Sequence, residues 1–165
     1  MIEIDVAEAA EVLMSICAVA DTGDHDTFDL GAEWLQTRLE SLPDELREEV
    51  LELRLGDMKV AAHLLGIVYE TPAPRTFAAF MERLEAIDPV ELKLHLFGHY
   101  DTTSGHIPHD IVEGAARGDE AAIEQVLEAL AEWSDKHELY RSILQMDGLE
   151  MKSRIVDLLP RHSGS

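Results

Sequence analysis

The chain has 165 residues, which suffices for one domain with its own core, and it combines 46% apolar residues with few aromatic ones. Thirteen basic residues against thirty-four acidic ones give a formal charge of −21. A field of that sign repels phosphate backbones, so we expect no direct nucleic-acid binding by this region. Cys17 is the single cysteine and cannot form an intrachain disulfide. No apolar run approaches the roughly 20 residues that span a bilayer, so we expect a cytoplasmic protein without a membrane partner.

Helical periodicity extends along the chain, because apolar residues recur at three- and four-residue spacing with no sustained two-residue alternation. The predicted helices cover residues 6–20, 28–39, 41–55, 58–69, 76–87, 88–98, 108–117 and 119–133, followed by two short helices around 139–144 and 149–159. The fold class is therefore predicted as all-α, an irregular orthogonal bundle of about nine helices in a single domain over 1–165. Residues 58–69 are expected to be innermost, and the tail to fray from about residue 161.

The boundaries of these helices carry recognisable signals. Pro43 follows Ser41 at a predicted helix start, where the missing N–H of proline costs little. Asp88 and Asp119 are predicted to cap the helices that follow them. Gly98 is predicted to end its helix in a left-handed conformation.

The stretch from residue 93 to residue 119 departs from this regular pattern and holds four of the eight histidines, His95, His99, His106 and His109. Imidazoles four residues apart share one helix face and suit zinc, nickel, copper or iron, so these four are candidate ligands of a divalent transition metal. Gly98 is expected to turn the chain between the first two, which argues against that geometry. Two other interpretations remain open, a polar surface loop and a proton-sensing cluster.

Three large aromatic residues, Trp34, Trp133 and Tyr140, are candidates for lining a ligand pocket between helices. Aromatic residues at helical spacing also pack in cores, so the alternative is a structural role for all three. The chain contains no pattern of glycine, serine, histidine and aspartate that marks nucleophilic or phosphoryl chemistry. We therefore expect no catalytic residues and no required cofactor.

The order of several short motifs resembles the helical accessory region that precedes the winged helix in some bacterial ArsR-type transcriptional regulators. The residues that carry the resemblance are Glu11 and Leu13, Trp34, Pro74 with Phe77 and Phe80, Asp88-Pro89 with Glu91-Leu92, Leu96-Phe97-Gly98, and Gly118-Asp119 with Ala121-Ala122. The resemblance implies a dimerising or effector-sensing region attached to a DNA-binding module. These residues contain neither a basic recognition helix nor a hairpin after one, so the winged helix itself is not among them.

Function is expected to follow from this resemblance. The first hypothesis is a non-catalytic sensory or dimerisation domain that binds a small effector, or a second copy of itself as a homodimer, through an apolar helix face. The alternative is a metal-binding helical protein or an enzyme that uses the histidine-rich residues 95–110.

Overall fold

The computed structural model describes residues 8–20, 43–98, 107–131 and 137–163. In these ranges it contains nine helices and no strand, which confirms the all-α prediction. The helices are α1 (Glu8–Ala20), α2 (Asp44–Glu52), α3 (Met58–Glu70), α4 (Phe77–Ala86), α5 (Pro89–Phe97), α6 (His109–Ala116), α7 (Glu120–Ala131), α8 (His137–Gln145) and α9 (Gly148–Ser163). The predicted helix over residues 28–39 lies outside the described residues. None of the described helices has the length and apolar content needed to cross a lipid bilayer.

The chain divides into two compact units. The terminal unit consists of residues 1–85 and 156–165, and the central unit consists of residues 86–155. The boundary falls inside α9, so this helix belongs to the central unit up to Ile155 and to the terminal unit from Val156.

The terminal unit is built from α1 to α4 and the second half of α9, with α1 packed against α2 and α3. Helix α3 is apolar on most of its surface, and five of its described side chains are buried, which accounts for its place in the core. The largest fully buried side chains of this unit are Ile16, Leu55, Leu64, Ile67, Phe80 and Leu84. A hydrogen bond joins the start of α4 to the start of α1, in which the backbone N–H of Phe77 donates to the Glu8 carboxylate at 3.0 Å.

The central unit contains α5 to α8 and the first half of α9, with α5 packed on α6 and α8, and α7 packed on the same two helices. One cluster of its core combines residues from α5, α6, α7 and α8: Phe97, Val112, Ala115, Ala122, Ile123, Val126, Leu127 and Leu144. Helices α6 and α7 approach closely at Gly114, where an added Cβ would lie 3.2 Å from the Cβ of Ala122. A Cβ at this position would make an unusually tight contact, so packing favours glycine there.

Helix ends in the central unit follow the signals in the sequence. Asp88 caps α5, since its carboxylate accepts a hydrogen bond from the N–H of Val90 at 2.8 Å, and Gly98 ends that helix with a φ of 80°. Asp119 caps α7 in the same way by accepting from the N–H of Ala122 at 2.9 Å. These short helices are therefore fixed at their ends by local hydrogen bonds, which positions the surface between them.

Candidate functional site

A groove of about 780 Å³ lies in the central unit, where several helix ends meet. Its walls are Pro89, Val90 and Lys93 of α5, residues 116–118 at the end of α6, Glu120, Ile123 and Glu124 of α7, and residues 144–149 between α8 and α9. The size falls within the range of about 300–1,000 Å³ that is common for small-molecule sites. We call this feature the groove.

The groove exists because α5, α7 and α9 begin there while α6 and α8 end there. Asp147 caps α9 by accepting a hydrogen bond from the N–H of Glu150 at 2.9 Å. The following residue, Gly148, lets α9 begin against α5, since an added Cβ would lie 3.2 Å from the Cβ of Pro89. Gly118 has a φ of 89° and turns the chain between α6 and α7. The Asp147 cap and the two glycines therefore set where the chain turns along the walls of the groove.

Lys93 is the unusual residue of the groove, because its side chain is only 2% exposed although it carries an amine. The amine donates a hydrogen bond to the backbone carbonyl of Leu144 at 2.7 Å, in the last turn of α8. Among the described residues this is the amine's only hydrogen bond. An ammonium group has three N–H donors, so two of them have no protein acceptor in these ranges.

Burial lowers the pKa of Lys93 from its ordinary value, because removing the ammonium from water disfavours its charged form. The carboxylate of Asp147 acts in the opposite direction by attracting the positive charge, and its effect is the smaller of the two. Burial and the Asp147 carboxylate therefore act on the pKa of Lys93 in opposite directions, and burial is the larger influence.

The charges around Lys93 are mixed in sign. The exposed Glu124 pairs with the half-buried Arg141, whose guanidinium donates to the two carboxylate oxygens at 2.8 and 3.5 Å. This interaction lowers the pKa of Glu124. Glu120 and Asp147 add two further carboxylates to the walls, against the cations Lys93 and Arg117. A ligand in the groove therefore meets more acidic groups than basic ones.

Two of the four predicted metal ligands lie in the described residues, and they differ in their surroundings. His95 is buried in the last turn of α5, whereas the side chain of His109 is 66% exposed in the first turn of α6, with Nδ1 4.0 Å from a carboxylate oxygen of Glu113. Glu91 precedes His95 by one helical turn, and their ligand atoms lie within 4.8 Å of each other. In the described part of residues 86–155 no third such ligand joins them.

His99 and His106 lie outside the described residues, so metal binding by the four histidines remains a prediction. Trp34 and Trp133 also lie outside them. Tyr140, the third aromatic candidate, packs against the core of the central unit, with its ring centroid 5.1 Å from that of Phe97 in an edge-to-face arrangement. It is not among the residues that line the groove.

Sequence patterns alone did not single out Lys93. It lies three residues before Leu96 and four before Phe97, so a helical wheel places it beside two apolar positions that the structure buries. A charged residue on the apolar face of a short helix was the available signal. The histidines that follow Lys93 in the sequence are the more conspicuous candidates for a functional site.

No protein-family model, curated protein or solved structure matches this chain.

Proposed function

We propose that this chain is a non-catalytic sensory and dimerisation domain of a bacterial transcriptional regulator, and that it binds a small effector in the groove. The observation that carries the proposal is the buried Lys93 amine beside an open groove of about 780 Å³, with one hydrogen bond to the described part of the chain. A buried polar group with unfilled hydrogen-bonding capacity is costly, and a ligand that supplies an acceptor removes that cost.

The shape of the groove also supports a sensory role. Five helices contribute their ends to the groove, three of them capped at their first turn and one followed by the turn at Gly118, so a ligand that contacts several ends at once can change how they are arranged. Differential contacts of this kind are what couple a binding site to a conformational equilibrium. DNA contact is assigned to a module outside these residues, because the formal charge of −21 opposes it here.

The first prediction concerns effector binding. Screening the purified chain against small metabolites should identify a compound that raises its melting temperature, since a ligand at about one hundred times its Kd stabilises the folded state by about 2.7 kcal/mol. For a chain of this size that corresponds to a rise of about 5–10 °C. Light scattering should show a dimer in the same samples, and the compound should undergo no chemical turnover.

Two leucine variants locate the effector. Leu149 is 70% exposed at the groove, and Leu51 is 45% exposed in the terminal unit. L149W should reduce the ligand-dependent rise, because the larger ring occupies the entrance, and L51W should leave it unchanged. A monomer that no metabolite stabilises, or a compound that the chain converts into product, would contradict the proposal.

A further inference from the structure

We propose that Lys93 is a covalent ligand site, at which its amine forms a reversible imine with a small, uncharged aldehyde held in the groove. This inference rests on the proposed ligand-binding role of the groove and names the chemical class of its ligand. The inference adds a covalent reaction of the Lys93 amine, whereas the proposed sensory role requires only that a small effector bind in the groove.

The position of the amine supports imine formation. Among the described residues, Lys93 is the only lysine that lines the groove, and its side chain is 2% exposed. Its hydrogen bond to the Leu144 carbonyl, at 2.7 Å, holds the end of a flexible side chain in one place. A neutral amine that donates one N–H in this way keeps its lone pair for an electrophile.

The same burial protects the product. Imines of exposed lysines hydrolyse readily because water reaches the C=N carbon, whereas a nitrogen removed from solvent is shielded from that reaction. Lys152 provides the contrast within the central unit, since its amine also donates to a backbone carbonyl, that of Ile87 at 2.8 Å, but it is only half-buried and does not line the groove.

The walls favour an uncharged aldehyde over an anionic ligand. Three carboxylates line the groove against the cations Lys93 and Arg117, and the chain as a whole carries a formal charge of −21, so the overall field disfavours an anion. Val90, Ile123 and Leu149 supply apolar surface for the hydrocarbon part of the ligand. An aldehyde with a small hydrocarbon group fits both features.

The reaction is balanced without any further reactant. The lone pair of the amine attacks the carbonyl carbon and forms the C–N bond, the C–O bond then breaks, and the oxygen leaves as water with the two hydrogens that the nitrogen loses. No atom is oxidised or reduced, and hydrolysis reverses the step.

The imine can be trapped and located, because the chain has only four lysines, Lys59, Lys93, Lys136 and Lys152. The folded protein is incubated with benzaldehyde and sodium cyanoborohydride, which reduces an imine to a stable benzylamine, and each lysine is quantified by peptide mass spectrometry. Lys93 should be labelled at least about tenfold faster than Lys152. This preference should vanish in urea, where all four amines are equivalent. Labelling of Lys93 at or below the rate of Lys152 in the folded protein would overturn the proposal.

Two further experiments test imine formation at Lys93 and the charge of the ligand. Lys93→Arg keeps a cationic donor for the Leu144 carbonyl but cannot form an imine, so it should lose the rapid label while the other three lysines react as before. The anionic 4-carboxybenzaldehyde should label Lys93 more slowly than benzaldehyde does, because the acidic walls repel it. Faster labelling by the anion, or rapid labelling that persists in K93R, would contradict the proposed ligand class or site.

The outcome is separable from that of the sensory proposal. A metabolite that stabilises both the wild-type chain and K93R, with Lys93 unlabelled by aldehydes, would overturn the imine and keep the effector site. Rapid labelling of Lys93 in a monomer that no metabolite stabilises would keep the imine and overturn the sensory role.

Discussion

The two units differ in the polar groups that they bury. Among the described residues, the terminal unit buries one polar side chain, Thr71, whose hydroxyl donates to the carbonyl of Ile67 in the preceding turn at 2.9 Å. The described part of the central unit buries two ionisable side chains, Lys93 and His95, and both belong to the nine-residue helix α5. The terminal unit therefore has the interior of a scaffold, whereas the central unit contains buried groups that stability alone does not favour.

This difference indicates where function is to be sought. A hydroxyl that bonds to its own helix keeps its hydrogen bond at little cost. A buried amine with a single hydrogen bond loses much of its hydration, and apolar replacements of such groups are often neutral or stabilising. Residues kept at a cost in stability are found preferentially at functional sites. In this chain the comparison points to the groove beside α5.

The largest effect is expected from a cavity in the terminal unit. Phe80 is fully buried there, with its ring centroid 6.4 Å from that of the half-buried Phe77. Phe80→Ala should lower the free energy of unfolding by about 3–5 kcal/mol, because the cavity adds to the lost burial. Urea denaturation followed by circular dichroism measures this loss, and F77A, which removes the same group from a more exposed position, should cost less. Equal losses would show that the scaffold interior is not tightly packed at Phe80.

A smaller and equal effect is expected from helix caps in the two units. Thr76 accepts a hydrogen bond from the N–H of Ala79 at 3.1 Å at the start of α4, and Asp119 accepts one from Ala122 at 2.9 Å at the start of α7. T76A and D119A should each lower the free energy of unfolding by about 1 kcal/mol, while T76S and D119N retain an acceptor and lose less. Unequal losses in urea denaturation would show that the units differ in their helix ends as well as in their interiors.

The fold could be predicted from the sequence because its signals are local. The caps Asp88 and Asp119 and the left-handed Gly98 depend on residues within one or two turns, and the structure has each of them in its predicted place. The groove could not be predicted, because it arises where five helix ends converge. Lys93 and its acceptor, the Leu144 carbonyl, are 51 residues apart in the chain. No periodicity or spacing encodes such a contact.

The smallest effect, and the one that bears most directly on the comparison, is expected from Lys93→Met. Methionine keeps much of the side chain's length and removes the buried amine, so at about pH 7 the free energy of unfolding should be unchanged or rise by up to about 1 kcal/mol. Because the folded-state pKa of Lys93 is lowered, the unfolded chain binds more protons between that pKa and the ordinary lysine value. The wild type therefore gains stability as pH rises through this interval, and any advantage of K93M should shrink between about pH 7 and about pH 10. Urea denaturation across this pH range measures the difference in the free energy of unfolding between K93M and the wild type. K152M is the control, because it removes a half-buried amine together with its hydrogen bond to the Ile87 carbonyl. That variant should lower the free energy of unfolding by up to about 1 kcal/mol. A loss above about 2 kcal/mol for K93M at every pH would instead make Lys93 a structural cap of α8, and the two units would then not differ in the way proposed.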